Sequence, residues 1–511
     1  MIAQVVPITR LRRDTTWWSY KIPARQTCSV GSLVIVPFRG HPSLGVVWHI
    51  EETDAKAKET ITEILTSIPL LKNPHRQLIE WLSLQGLCSL STALYTWIPT
   101  ALHALPLSSA THKLLAEYNT LPITTHTPKQ HSIVVPGYRP EQTRLLKKKF
   151  DTHFQELFGD SQELESWFQV LQAQTSLGLG REKALFAPWN NLQQITLIDP
   201  EDIAYYHEQI PYLSLVEAAL EQAKLSGAQV SIRSHLPQAA LELLWPGENK
   251  SEYRSTSFEL IKITIDTLLN PELIEKIRTT TLSGKKTLIL YNARDRMINS
   301  TRNQIQETIR IPGIETLAKR LAHFLGESVL PESIILGTRS IFQKTYENVG
   351  LTIILSLDPL LDETSFANLM HGLSDIGHLT SYQVPCIIQT RNPTHPLVQA
   401  LLMNKLEDYA VNRIIEQKEA HLPPFGQHIV CSYPGEEEAE LVESTFQKIA
   451  DLAGPTWHVS HPFSAPWRKK PFQHILLHTP ETTTRLPIEL RTYLVKLPRP
   501  WKIQRNPWYL L

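Results

Sequence analysis

The chain has 511 residues, 42% of them apolar and 20% charged, the balance of an ordinary folded protein and enough for roughly three or four domains at about 100–200 residues each. Fifty Lys and Arg stand against fifty Asp and Glu, so any nucleic-acid surface has to be local rather than global. Cys28, Cys88, Cys386 and Cys431 are dispersed with no CxxC, which argues against a disulfide framework or a structural zinc site. The opening MIAQVVPITRLRR has the wrong charge order for a signal peptide, and no run of about 18 apolar residues appears, so a cytoplasmic protein with no membrane partner is expected.

Residues 1–50 read as short strands, Ala3–Pro7, Trp17–Ile22, Ser32–Pro37 and Leu44–Ile50, punctuated by Gly31, Gly40 and Pro42, and imply a small barrel-like β unit. From 60 to 105, ITEILTSI, HRQLIEWLSLQG and LSTALYTWIPTALHALP carry apolar residues at three- and four-residue spacing and predict helices broken by Pro69, Pro74 and Pro99. These form a first domain, 1–105. The polar stretch 106–131 reads as a linker.

From Ser132 strands alternate with helices. SIVVP, ITLID and VSIRS are strand candidates, and TRLLKKKFDTHFQELF and LVEAALEQAKLSG are helix candidates. A second unit of the same kind begins near Phe258, with strands KTLILYN, ESIILGT, LTIILSLD and PCIIQTR and helices GIETLAKRLAHFLG and TSFANLMHGLSDIG. The alternation predicts α/β lobes with parallel sheets over 132–255 and 256–398. The last domain, 399–511, opens with one long helix, VQALLMNKLEDYAVNRIIEQKEAH, stopped by LPPFG. The strand IVCSYPG, the helix EEEAELVESTFQKIADLAG and the strand FQHILLHT follow, as in a small α+β domain.

Two α/β lobes in tandem are how nucleic-acid motors are built. Such a motor sets a carboxylate at a strand end beside nucleotide-bound magnesium, under a loop GxxxxGK[ST] that grips the phosphates. Asp199 and Glu201 occupy such a strand end, but no GxxxxGK[ST] exists in the chain, and 20 glycines against 36 prolines leave few phosphate-approaching loops. ATP, magnesium and zinc are therefore not expected as cofactors, and no catalytic constellation is legible by spacing. The clearest binding signal is at the start. Trp17, Trp18, Tyr20, Phe38 and Trp48 lie near Arg10, Arg12, Arg13 and Arg39, and rings interleaved with guanidinium groups suit unpaired bases and phosphates. Further basic clusters stand at Lys147–Lys149 and Arg468–Lys470.

The order β unit, helices, two α/β lobes, LPPF, α+β domain resembles the PriA family of primosomal replication-restart helicases. WWSYKIP, VIVPFRG and LGVVW resemble that family's 3′-DNA-end-binding domain. GREKALFAPWNNLQQITLID resembles its GTRSALF…NL…DEEH stretch, and ESIILGTRSIFQKTYENVGLTIILSLD and HPLVQALL…LPPF resemble later segments. The resemblance implies two tandem RecA-like superfamily-2 lobes, degenerate here. The phosphate loop has no counterpart, and DEEH reads Asp199-Pro200-Glu201-Asp202. The GSATP segment reads Arg233-Ser234-His235-Leu236-Pro237, the eight-cysteine zinc module is missing, and QVAGRAGR reads Asp375-Ile376-Gly377-His378-Leu379-Thr380.

On the family's pattern, Trp18, Ser19, Tyr20, Phe38, Arg39 and Gly45 are the expected 3′-end contacts. Ser19 there replaces an acid, losing a charge-assisted bond to the terminal hydroxyl. Thr338 and Arg339 fall on the family's nucleic-acid track, and Arg468, Lys469 and Lys470 lie in its proline-basic-aromatic loop. The expected function is binding of forked or 3′-ended DNA in replication restart without ATP hydrolysis. The expected protein partners are a single-strand-binding protein and primosome or helicase-loading proteins. A working 3′→5′ helicase and a scaffold without a DNA role are the alternatives.

Overall fold

The N-terminal strands close around a β3–β4 hairpin whose two-residue turn, Arg39-Gly40, takes positive φ at both positions, 52° and 82°. This computed structural model describes residues 1–11, 17–52, 57–120, 128–137, 143–144, 147–148, 154–157, 163–207, 210–263, 268–291, 296–302, 305–311, 314–325, 331–361, 365–434, 439–464, 472–482, 485–498 and 500–506. The first sheet contains β1 (Ile2–Pro7), β2 (Trp18–Lys21), β3 (Leu33–Phe38), β4 (His41–Glu51), β5 (Glu59–Thr60) and β6 (Glu63–Ile64), in the order β5-β2-β1-β4-β3-β6. The segment ITEILTSI, expected to be helical, supplies the short edge strand β6 and the turn into it instead. It follows β-branched Thr60 and is itself rich in Ile61, Thr62 and Ile64, and its amides donate into β3, Thr62 to the Ile35 carbonyl at 2.8 Å and Leu65 to the Leu33 carbonyl at 2.9 Å.

Helices Asn73–Gln85 and Leu90–Trp97 follow as expected, the second capped by Ser89, whose hydroxyl accepts from the Thr92 amide at 3.1 Å. The expected linker is not loop throughout. Ser109–Thr120 is a helix that buries Thr111, Leu115 and Tyr118 at helical spacing, and the Tyr118 hydroxyl donates to the Pro69 carbonyl at 2.9 Å.

The first lobe holds β7 (Gln130–Val134), β8 (Phe154–Leu157), β9 (Leu177–Gly180), β10 (Leu192–Ile198), β11 (Gln229–Ser234) and β12 (Glu248–Ser251), ordered β12-β11-β10-β7-β9-β8 and parallel throughout. β8 lies inside the segment expected as a helix over 143–158; it buries Phe154 and Leu157 while pairing with β9. The helix Leu215–Ser226 runs from a Ser214 cap to left-handed Gly227, as its sequence signals predict.

The second lobe holds β13 (Phe258–Lys262), β14 (Lys286–Leu290), a separate hairpin of β15 (Arg296–Arg302) and β16 (Ile305–Ile311), then β17 (Ile334–Gly337), β18 (Val349–Ile354) and β19 (Cys386–Thr390). Its sheet, β13-β19-β18-β14-β17, is also parallel. The fold is thus the expected pair of tandem parallel α/β lobes. The hairpin has no counterpart among the expected elements; it follows KTLILYN, where the family carries its zinc module.

The C-terminal sheet is antiparallel, built from β20 (Gln427–Pro434), β21 (His458–Val459), β22 (Phe463–Ser464), β23 (Phe472–Thr479) and β24 (Lys502–Arg505), with helices Ala439–Ala453 and Ile488–Lys496 packed against it. The long helix expected ahead of it is two, Pro396–Leu402 and Leu406–Glu419, broken where Asn404 takes φ 59°.

The cores do not respect the boundaries drawn from sequence. One apolar cluster runs from Val6 and Trp48 through Trp97 and Trp167 to Leu241, so the N-terminal unit, its helices and the first lobe share an interior. The second lobe's cluster takes in Leu236 and Ala240 from one side and Leu401, Leu406 and Ile414 from the other. Helix Gln238–Leu244 therefore bridges the two lobes.

His75 sits fully inside the first of these cores, with Nε2 3.0 Å from the Trp189 carbonyl, and burial pushes its pKa down to about 4. Burial lowers His131 and His428 to about 4 as well. These rings are neutral when folded and protonate near 6.5 when unfolded, so the stability they contribute is complete above about pH 6.5 and is lost as pH falls toward about 4. For His75 the effect is on the order of 3 kcal/mol. Thermal unfolding followed from about pH 7 to about pH 4 should show a midpoint that falls through this window; a flat profile contradicts the assignment.

Candidate functional site: an interlobe cleft and an aromatic rim

Strand ends and one helix build the cleft. Asp199 follows β10, His235 follows β11, and Thr338 and Arg339 follow β17. The helix Phe366–Thr380 presents His371, Ser374, Asp375 and His378 at three- and four-residue spacing, hence on one face. Asp199 adopts φ 51°, a left-handed conformation that Asp tolerates better than most residues. Its amide donates to the Arg233 carbonyl at 2.8 Å, and its carbonyl accepts from the Asp202 amide at 3.0 Å.

The two acids are not a surface strand end: Asp199 is 3% and Glu201 4% exposed. Nor do the two histidines sit apart as isolated loop residues. His235 Nδ1 lies 2.9 Å from Asp199 Oδ1, and His378 Nε2, from the opposite lobe, lies 3.3 Å from Oδ2. The two imidazoles stack with centroids 3.4 Å apart, and Phe342 stacks on His378 at 4.5 Å. Gly377 permits the approach, because a Cβ there would stand 1.9 Å from the His235 carbonyl oxygen.

Burial opposes ionisation of Asp199, but the imidazoles of His378 and His235 overrule it and hold the carboxyl well below the usual carboxylate range. Glu201 goes the other way. Burial, then the charge of Asp199, pushes its pKa up to about 8, while Ser234 donates to its Oε1 at 2.7 Å. One carboxylate is therefore ionised and paired with imidazoles, and its neighbour is held protonated near neutrality.

Arg339 ties the lobes beside this cluster. Its Nε and Nη2 reach the two oxygens of Asp375 at 2.8 and 2.7 Å, Nη1 reaches Asp202 at 3.4 Å and His371 Nδ1 at 2.6 Å, and Nη2 also donates to the His371 carbonyl. The guanidinium expected on a DNA track is committed to partners inside the protein, whereas Thr338 is exposed. A cavity of about 340 Å³ opens between Pro136, Gly137, Asp202, Thr338, Gln343 and Ser374. β7 runs into Val135-Pro136-Gly137 with no Gly-rich loop leading to a lysine. Magnesium takes oxygen ligands, and here the strand-end carboxylate faces two imidazoles instead.

The N-terminal residues divide between core and rim. Trp18 and Tyr20 share one face of β2. Tyr20 is buried at 3% exposure and donates its hydroxyl to the Pro37 carbonyl at 2.9 Å, so it is core rather than a stacking platform. Trp48 is likewise fully buried. Gly45 lies within β4, where a Cβ would meet the Val5 side chain at 2.5 Å; its smallness serves strand packing. Trp18 and Phe38 are half-buried and meet edge-to-face at 4.8 Å, and the exposed Arg39 lies over the Phe38 ring at 5.2 Å. Ser19 is half-buried on the opposite face of β2, and the exposed Trp17 meets His49 edge-to-face at 5.4 Å. Arg10 is exposed over the Tyr95 ring, and Lys147 and Lys148 are exposed, the former 3.9 Å from Glu156. Arg12, Arg13, Lys149, Arg468, Lys469 and Lys470 lie outside the described residues.

The cleft cluster escapes a reading of the sequence because Asp199, His235 and His378 are dispersed along the chain. The usable signal is that His235 directly follows a strand, as Asp199 does, while His378 lies in the last turn of a helix.

Comparison with known proteins locates the rim within a recognised unit. Residues 6–99 match the family model described as the PriA 3′ DNA-binding domain. The replication restart protein PriA of Haemophilus influenzae is 22% identical over 463 residues, covering 71% of this chain and 63% of its own length. The replication restart protein PriA of Bacillus subtilis is 19% identical over 416 residues, covering 63% of this chain and 52% of its own. The chain is thus similar to PriA replication restart proteins, and its N-terminal segment carries their 3′ DNA-binding domain. The chain spans about half to two thirds of the length of those relatives. A solved structure of S. cerevisiae dbp5 bound to gle1 and ip6 matches 68% of this chain and 96% of that one at 10% identity and a TM-score of 0.32, a likeness too distant to bear on function. Among the described residues no helix is long and apolar enough to cross a membrane.

The close seat of the 366–380 helix on His235 makes a sharp prediction. Gly377→Ala should lower stability by about 2 kcal/mol or more, because the clash is with backbone and cannot be relieved by a rotamer change. Chemical denaturation checks this, and an unchanged midpoint would contradict the packing.

Proposed function

We propose that this PriA-like chain binds forked or 3′-ended DNA through its N-terminal β unit, in the setting of replication restart, and does so without hydrolysing ATP. The observation that carries the DNA reading is the solvent-facing rim of Trp18, Phe38 and Arg39 inside the segment that matches a 3′ DNA-binding domain. The rings offer faces and edges to unpaired bases, and the guanidinium at the hairpin turn reaches phosphate. Ser19 supplies a neutral hydroxyl where a carboxylate would hold a terminal 3′-hydroxyl more strongly. With no net charge over the chain, attraction to DNA is confined to such local patches.

Two facts support the absence of hydrolysis. The sequence has no phosphate-gripping loop, and the strand-end carboxylate is engaged by two imidazoles, one of them from the facing lobe. Arg339 is likewise held by Asp375 and Asp202 rather than facing an open phosphate site.

Fork binding measured by fluorescence anisotropy, with and without ATP, tests the reading. A 3′-ended fork should bind with an affinity that falls steeply with salt and is indifferent to nucleotide. Trp18→Ala and Arg39→Ala should each weaken binding about tenfold or more, as loss of a stack worth ~1–3 kcal/mol implies. DNA-stimulated ATP turnover would instead favour a working helicase, and absence of salt-sensitive fork binding would favour a scaffold.

A further inference from the structure

Asp199, His235 and His378 bring one carboxylate and two imidazole nitrogens together, with all three donor atoms within 4.8 Å of one another. We propose that these residues form a binding site for a divalent first-row transition metal, of which zinc is the best fit, joining the two lobes. The inference is independent of the DNA-binding reading.

The donor set decides the class of ion. Two imidazoles and a carboxylate suit zinc and its neighbours, and do not suit magnesium or calcium, which take oxygen shells. The dimensions are close. Bonds of about 2.0–2.1 Å place tetrahedral donors roughly 3.3 Å apart, and the two histidine nitrogens already lie 2.9 and 3.3 Å from the carboxylate oxygens. The side chains are 5%, 15% and 14% exposed, so the site is shielded but not sealed. It borders the 340 Å³ cavity, which gives the ion an entrance and supplies water for a fourth position.

The support around the ligands is also in place. Phe342 stacks on His378 and fixes that ring from its far side. The backbone of Asp199 is pinned to β11 through the Arg233 carbonyl, and Gly377 holds the helix that carries His378 against the turn that carries His235. Two of the ligands come from one lobe and the third from the other, so an ion bound here resists separation of the lobes. Charge points the same way: a divalent cation matches the charge of a buried carboxylate directly.

Titration of the metal-stripped full chain with Co2+ tests the proposal. One equivalent should bind saturably with visible d–d absorption, should be displaced by Zn2+, and should raise the unfolding temperature. His235→Ala and His378→Gln should each weaken binding by at least about a hundredfold, beyond what loss of an outer-shell partner causes. An exposed control, His41→Ala, should leave it unchanged. Absence of saturable cobalt binding by the parent chain, or binding that survives in both ligand variants, overturns the proposal. Crystals of the unmodified chain soaked in Zn2+ give a reading that needs no variant. An anomalous peak between Asp199 and the two histidines supports the site, and a peak elsewhere or none refutes it.

Discussion

A carboxylate buried at 3% exposure must find a partner or protonate, and the way Asp199 meets that demand governs the middle of this molecule. Its two oxygens face two imidazoles, one from the next strand of its own sheet and one from a helix of the other lobe. The contact requires that helix to lie against the β11 turn, which in turn requires a residue without a side chain at Gly377. Arg339 extends the same logic a few ångströms away: a bidentate pair with Asp375 holds it within its own lobe, and a longer contact to Asp202 crosses to the other. Opening the cleft would separate these pairs, which the closed arrangement keeps matched at the cost of their hydration.

The same residues underlie the proposal that the cleft does not work as a motor's. In a nucleotide-driven lobe pair the strand-end acid, the coupling segment and the closing arginines meet around a triphosphate. Here the corresponding stretches carry Asp199, His235 and His378, and they meet one another. Both lobe sheets are parallel, while the side chains at their strand ends engage one another across the cleft. The cleft and the N-terminal rim differ in chemistry: a buried carboxylate held by imidazoles in one, half-buried rings and an exposed guanidinium in the other.

Much of the fold was legible. Buried strands such as KTLILYN and PCIIQTR are continuous β-rich runs between turn signals, and their alternation with amphipathic helices leaves little choice but parallel sheets. Errors came where short segments carried two signals. ITEILTSI has helical spacing, yet its β-branched residues and the donors and acceptors offered by β3 drew it into the sheet. The end of TRLLKKKFDTHFQELF became β8 because β9 had an open edge to cover. The helix at Ser109–Thr120 was hidden by its polar neighbours, although Thr111, Leu115 and Tyr118 follow the helical period. The candidate sites were less legible. Which aromatic rings are core and which are rim depends on the face of β2 and β3 they occupy and on what covers that face, and Tyr20 and Trp48 proved to be interior. The meeting of His235 with His378 depends on docking of one lobe against the other, for which local sequence carries no period.

The unbroken interior running from Val6 to Leu241 has a mechanical consequence. Trp48 of the first sheet, Trp97 of the following helices and Trp167 of the first lobe belong to one packed mass, and interiors of this density transmit displacement rather than absorb it. A displacement of the hairpin bearing Arg39 is therefore passed through this core toward the strand that ends at Asp199. The first sheet and the cleft are in this sense two ends of one packed interior.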